Sequence, residues 1–149
     1  MIHAVIDNNV LVSAVITPAG RAGHVFNALK SGQFVMIYSP SLWDELSEVL
    51  QRPRIRARYR LGDADIDDLL TLITLHGRQT ETHCTITACR DVKDNNVLEA
   101  AVAGNADVIV TADNDLLVLN PFQGIPIVGP AAFLKMLAGE ALQGPESGG

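Results

Sequence analysis

Cys84 and Cys89 are the only two cysteines in this 149-residue chain. They are too few for a disulfide framework or a cysteine-based zinc site, and suit small buried residues in a reducing compartment. The four histidines (His3, His24, His76 and His83) show no helical i, i+4 pairing, and His3 alternates with strand residues. Any metal must therefore be held by carboxylates. A long hydrophobic run is also missing. The apolar stretch from Ile2 to Ile16 is broken by Asp7, Asn8 and Asn9, and is too short and polar to span a membrane. No basic segment or small-residue cleavage site precedes it, so it does not read as a signal peptide. The expectation is a soluble, cytoplasmic protein with no membrane partner. Excess positive charge is lacking too: a net charge of −6 argues against coating nucleic acid through the overall field. It leaves open an enzyme that brings its substrate to a metal.

What the chain does have is apolar residues, 48% of the total, enough for one domain with a real core. Short apolar runs alternate with helical patterns. The strand candidates are Ile2–Ile6, Phe34–Tyr38, His83–Ile86, Asp107–Ala112 and Ile125–Val128. The helix candidates are Ala22–Lys30, Ser41–Gln51, Ile55–Tyr59, Ala64–His76, Asn95–Gly104 and Ala131–Ala138, with a further turn at Asp115–Leu119. The segment after Asp7 is assigned no helix. Pro40-Ser41, Pro53, Gly62-Asp63 and Gly129-Pro130 punctuate the pattern as helix openers and separators. This alternation predicts an α/β fold, a three-layer α/β/α sandwich with a mostly parallel, about five-stranded central sheet. The domain is expected over 1–138, with a flexible tail over 139–149 that is rich in Gly, Pro and Ser.

Open parallel sheets collect ligands beyond the carboxyl ends of their strands. Asp7 directly follows the first strand candidate and Asp113 the fourth, so both acids fall at that edge. In the helix that follows Asp94, a rotation of about 100° per residue puts Asp94 in the stripe of Val97, Leu98, Ala101 and Val102, facing the sheet, with Glu99 turned away. Among Asp44, Glu45 and Glu48, Glu45 lies nearest the apolar stripe of Leu42, Trp43, Leu46, Val49 and Leu50. Each acid alone reads as a turn, cap or surface residue. Gathered together they repel: two unit charges about 4 Å apart cost roughly 4 kcal/mol at an effective dielectric near 20. A cation removes that cost, and an all-oxygen set favours Mg²⁺ or Mn²⁺ over zinc.

The order and spacing of several segments resemble the PIN-domain family of metal-dependent nucleases, over about Met1 to Leu137. They are Val5-Ile6-Asp7-Asn8-Asn9-Val10-Leu11-Val12-Ser13-Ala14, then Glu45 with Val49-Leu50 and Arg52-Pro53, and Asp91-Val92-Lys93-Asp94-Asn95. Ala106 to Asp113, Leu116-Leu117 and Pro130-Ala131-Ala132-Phe133-Leu134 complete the set. Within the family, the chain looks most like bacterial stand-alone PIN proteins assigned as toxin components of toxin–antitoxin pairs. The resemblance implies that Asp7, Glu45, Asp94 and Asp113 form the catalytic, metal-binding quartet. It also implies that Asn9 orients Asp7 by hydrogen bonding, that Thr111 supplies a supporting hydroxyl and that Asp115 is an extra acid. The implied activity is Mg²⁺- or Mn²⁺-dependent hydrolysis of RNA, with an antitoxin as a protein partner. The chain departs from the family's usual pattern at Asn8, where Thr is common, and at Ala112, where Gly is common. Neither departure removes a metal ligand.

Five of the eleven basic residues lie at Arg52, Arg54, Arg56, Arg58 and Arg60. If the segment is one helix, Arg52, Arg56 and Arg60 share a side that could guide RNA; the alternative is a solvated surface paired with Asp63, Asp65, Asp67 and Asp68. Leu69, Leu72 and Ile73 are expected to form an exposed apolar helix face that supports a homodimer or higher oligomer. The rival to an active nuclease is an inactive PIN-like module that acts through protein or RNA binding, against which retention of all four acids argues. A phosphoryl-accepting receiver fits poorly, because Asp7 is followed by asparagines and no Lys lies near Ile125–Val128.

Overall fold

Five strands run parallel in the order β3-β2-β1-β4-β5: β1 His3–Ile6, β2 Val35–Tyr38, β3 Gly77–Gln79, β4 Val108–Val110 and β5 Ile127–Val128. The computed structural model describes residues 1–82, 85–89 and 91–142. Eight helices are found among them: α1 Asn8–Ile16, α2 Arg21–Lys30, α3 Pro40–Gln51, α4 Pro53–Tyr59, α5 Asp63–His76, α6 Val92–Ala103, α7 Asn114–Leu117 and α8 Pro130–Leu142. The expected α/β sandwich with a parallel five-stranded sheet is therefore the fold.

Strand alternation divides the core in two. Ala4, Ile6, Met36, Tyr38, Val108 and Val110 face one side, where α1, α2, α3, α5 and α8 pack. Val5, Ile37, Ile109 and Ile127 face the other, against Val97, Leu98, Ala100 and Ala101 of α6 and Leu116 of α7. Both faces of β1 and β4 are covered, which explains why apolar residues occupy both sides of each strand. From β1 the chain builds outward through β2 and β3, then returns to place β4 on the other side of β1. That reversal leaves a crevice at the carboxyl ends of β1 and β4.

Several expectations are corrected. The third strand is Gly77–Gln79, joined to α5 without a loop because Gly77 turns directly into extended backbone. Of the expected strand His83–Ile86, residues 83 and 84 lie outside the described residues, and Thr85 and Ile86 form no strand. The segment left without an element is helix α1, capped by Asp7, whose carboxylate accepts the Asn9 amide. α8 runs to Leu142, beyond the expected end at Ala138, while residues 143–149 of the expected tail lie outside the described residues. Leu69 and Ile73 are not exposed. Together with Ile66 they are the inward face of α5, leaving Leu72 half-buried and Leu75 exposed.

The arginine segment is not one helix either. α3 ends at Gln51, Pro53 restarts the chain as α4, and Arg60 closes α4 in a left-handed conformation (φ 54°). Arg52, Arg56 and Arg60 therefore do not share a helical side.

Candidate metal centre

Asp7 leaves β1 where the sheet ends, and its amide still donates to Val110 of β4 (2.9 Å). The same register puts Thr111 beside it. The Thr111 hydroxyl donates to Asp7 Oδ2 (2.8 Å) and accepts from the Asp113 amide (3.0 Å), so one buried side chain ties both acids together. Asp113 caps α7 by accepting the Asp115 amide (2.9 Å). Thr111, named as a supporting hydroxyl by the resemblance, thus bonds to both of these residues.

Asp94 arrives from the opposite layer. The cap of α6 is Asp91, which accepts the Lys93 amide, so Asp94 in the first turn is not used as a cap. The residue is 7% exposed and lines the pocket with Asp7 and Asp113, in line with its helical phase. The segment ahead of α6 is pinned down by its neighbours. Asn95 accepts the Cys89 amide (2.8 Å) and donates to its carbonyl (3.0 Å), and Glu99 accepts the Ile86 amide (3.0 Å). Glu99 is turned from the sheet but is half-buried under this segment.

Glu45 is brought in by a contact that the sequence did not announce. Asn8 is buried and donates through Nδ2 to the Leu42 carbonyl (2.9 Å), across 34 residues. The Ser39 hydroxyl accepts the Leu42 amide and starts α3 at the same point. α1 and α3 are thereby locked together one turn before Glu45. Asn9, by contrast, orients Asp7 through its backbone N–H (3.3 Å), and its own side chain is exposed.

Asp7, Asn9, Glu45, Asp91, Lys93, Asp94 and Asp113 line one pocket of about 250 Å³, with Leu42, Val49, Val97 and Arg52 completing the wall. Asp91, Lys93 and Arg52 were not assigned to it from sequence. Asp91 was legible, three residues before Asp94 on the same helical side. Asp115 is exposed, yet carboxylate oxygens of Asp94, Asp113 and Asp115 lie within 4.8 Å of one another.

Burial and crowding show in the protonation equilibria. Burial, then the charge of Asp113 and a hydrogen bond with it, pushes Asp94 from 3.8 up to about 7. Burial also raises Asp7, against the opposing hydrogen bonds from Thr111 and Asn9. Glu45 is raised mainly by burial, with Lys93 pulling the other way. The candidate donors are all carboxylate oxygens, with Lys93 and Arg52 as the cations of the pocket wall. These residues fit a hard divalent ion.

A parallel α/β sheet with an acid pocket at its switch point defines an α/β domain with a carboxylate site at the strand ends. The comparisons make this specific: a model of the PIN domain matches residues 3–115, and the chain belongs to the PIN domain family. It is 30% identical over 118 residues to the uncharacterized protein MJ1680 of Methanocaldococcus jannaschii, covering 79% of this chain and 75% of that protein. Its fold is similar to that in the crystal structure of PAE2754 from Pyrobaculum aerophilum, with a TM-score of 0.61 at 17% identity, over 93% of this chain and 91% of that one. PIN domains are typically nucleases that use divalent metals and act on nucleic acids. Among the described residues, no helix is long and apolar enough to cross a membrane.

Proposed function

We propose that this chain is an endoribonuclease that hydrolyses RNA phosphodiesters with Mg²⁺ or Mn²⁺ held by Asp7, Glu45, Asp94 and Asp113. The observation that carries the reading is the gathering of these four acids in one pocket at the ends of β1 and β4. Asp115 joins them as an auxiliary acid from the rim. When bound, the ion supplies Lewis acidity, which lowers the pKa of water and offsets charge on the leaving 3′-oxygen. The chain's own residues do the rest. Thr111 fixes Asp7 and Asp113 relative to each other, and the Asn9 amide holds the other Asp7 oxygen. Asp94, raised by burial and by Asp113, would hold the ion as a carboxylate. Lys93, at the pocket wall, receives the phosphate's negative charge.

The test is cleavage of single-stranded RNA with Mn²⁺ by wild type, Asp7→Asn and Asp94→Asn. Each variant should lose more than the roughly 10–100-fold that removal of an outer-shell partner costs, and the products should carry 5′-phosphate and 3′-hydroxyl ends. Undiminished cleavage by the variants would sink the assignment. RNA as the substrate, and a toxin role with an antitoxin partner, rest on the resemblance. A small DNA-binding protein encoded beside this chain, and blocking its cleavage, would support the toxin role.

A further inference from the structure

A second hollow of about 720 Å³ adjoins the carboxylate pocket, and the two share Arg52. It is lined by Pro53, Arg54, Ile55, Ala57, Arg58 and Tyr59 of α4, in addition to Arg52. We propose that this hollow binds the single-stranded nucleic acid flanking the scissile phosphate, with Arg54 and Arg58 on the backbone and Tyr59 against a base. The proposal rests on the nuclease reading and specifies where its substrate lies.

Three observations support it. First, the charge is placed against the trend of the molecule: a chain with net charge −6 puts Arg52, Arg54 and Arg58 around one concavity. Second, these cations differ in availability. Arg56 is occupied by Asp63, Gln51 and the Leu61 carbonyl, and Arg52 holds Glu48 through two hydrogen bonds. Arg54 and Arg58 are exposed and have no anionic partner among the described residues, and Arg58 lies over the Tyr59 ring at 5.6 Å. Third, the floor between them is apolar, formed by Pro53, Ile55, Ala57 and the half-buried Tyr59. A duplex presents phosphates outward and keeps its bases stacked inside, so its bases would not reach this floor. An unpaired strand offers both phosphates for the guanidinium groups and base faces for Tyr59 and Arg58.

The break at Arg52-Pro53 thus replaces the Arg52–Arg56–Arg60 stripe with the pair Arg54 and Arg58. Arg56 is a strut that ties α4 to the start of α5, and Arg54 and Arg58 are the free contacts.

Binding of labelled single-stranded RNA and DNA and of a duplex of equal length, measured in EDTA, tests the surface without calling on cleavage. The Arg54→Ala/Arg58→Ala variant should lose at least tenfold in affinity for both single strands, and its salt dependence should fall by about 1.4 log units per log unit of salt. Tyr59→Ala should lose about tenfold. Arg21→Ala/Lys135→Ala, which removes two exposed cations elsewhere, should bind like wild type. Unchanged affinity in the Arg54/Arg58 variant, equal losses in the Arg21/Lys135 control, or duplex binding as tight as single-strand binding would each overturn the proposal. Cleavage by wild type alongside unchanged binding by the Arg54/Arg58 variant would defeat this surface and leave the nuclease reading intact. The expected loss of binding with no cleavage by wild type under Mg²⁺ or Mn²⁺ would do the reverse.

Discussion

Removing the charge of Asp94 should stabilise the metal-free protein at alkaline pH. In the fold its carboxyl is pushed from 3.8 up to about 7, chiefly by burial and then by Asp113. The folded state therefore holds this proton more tightly than the unfolded chain does. Stability from that proton is complete below about pH 4, falls as the unfolded carboxyl ionises freely, and is lost once pH passes about 7. The full gap corresponds to about 4 kcal/mol. An amide at this position still has to be accommodated beside Asp113, so Asp94→Asn should gain about 2–4 kcal/mol over wild type at pH 8. For a chain of this length that means about 5–12 °C in melting temperature. At pH 4 the two proteins should differ little. Burial raises Asp7 and Glu45 as well, so wild type should lose stability with rising pH through more than one group. Thermal unfolding in EDTA across pH 4–8 isolates the Asp94 contribution as the difference between the two curves. Adding Mg²⁺ at pH 8 should reverse the order, with wild type gaining far more than the variant. Equal melting temperatures at pH 8 without metal would refute the claim that Asp94 carries this repulsion. Equal gains with Mg²⁺ would mean that the ion binds elsewhere.

Two further outcomes follow from single contacts. Thr111→Val leaves the Asp113 amide and Asp7 Oδ2 without their shared hydroxyl. It should cost about 1–3 kcal/mol and lower Mn²⁺ affinity by roughly 10–100-fold in calorimetric titration, with Thr111→Ser largely restoring both; unchanged Mn²⁺ affinity would make the hydroxyl merely structural. Gly23→Ala should be destabilising although Ala favours helices by about 1 kcal/mol, because its Cβ would stand 1.8 Å from the Pro18 carbonyl oxygen. A net loss of about 1–3 kcal/mol is expected from the forced backbone shift, and a melting temperature at or above wild type would show that the Pro18 turn gives way freely.

The sequence made the site legible where periodicity and strand ends fix direction. Asp7 and Asp113 could be placed because a parallel strand can end only at the sheet's edge, and Asp94 because its helix has a clear inward stripe. Local patterns do not encode long-range contacts, and there the reading failed or stopped short. The Asn8–Leu42 bond spans 34 residues and has no signature in either segment. α1 is not legible because Val10, Leu11, Val12, Val15 and Ile16 resume, after Asp7-Asn8-Asn9, an apolar and largely β-branched composition like that of the strand, so composition hides the change of period. The sequence pattern leaves Leu69 and Ile73 without a partner, yet α5 uses them to cover α2's side of the core. The arginine stripe failed for a local reason: Pro53 ends one helix and starts another, so an i, i+4 count does not carry across it.

The acids of the pocket differ in how the fold supports them. Asp7, Asp91 and Asp113 each cap a helix and accept a backbone amide, so their charge is met by N–H groups and, for the longer helices, by the positive end of the dipole. Asp94 sits inside the first turn of α6, with the capping position already taken by Asp91. Among the described residues no amide donates to it; it is the most strongly raised of the group and is hydrogen-bonded with Asp113. A fold selected only for stability would place an apolar residue there, because burying a carboxyl against another acid costs more than burying a methyl group. Keeping an acid at this point makes sense where a cation supplies the missing charge. Asp94 is therefore the residue whose presence argues most directly for the ion, and the one whose behaviour should change most when the ion is removed.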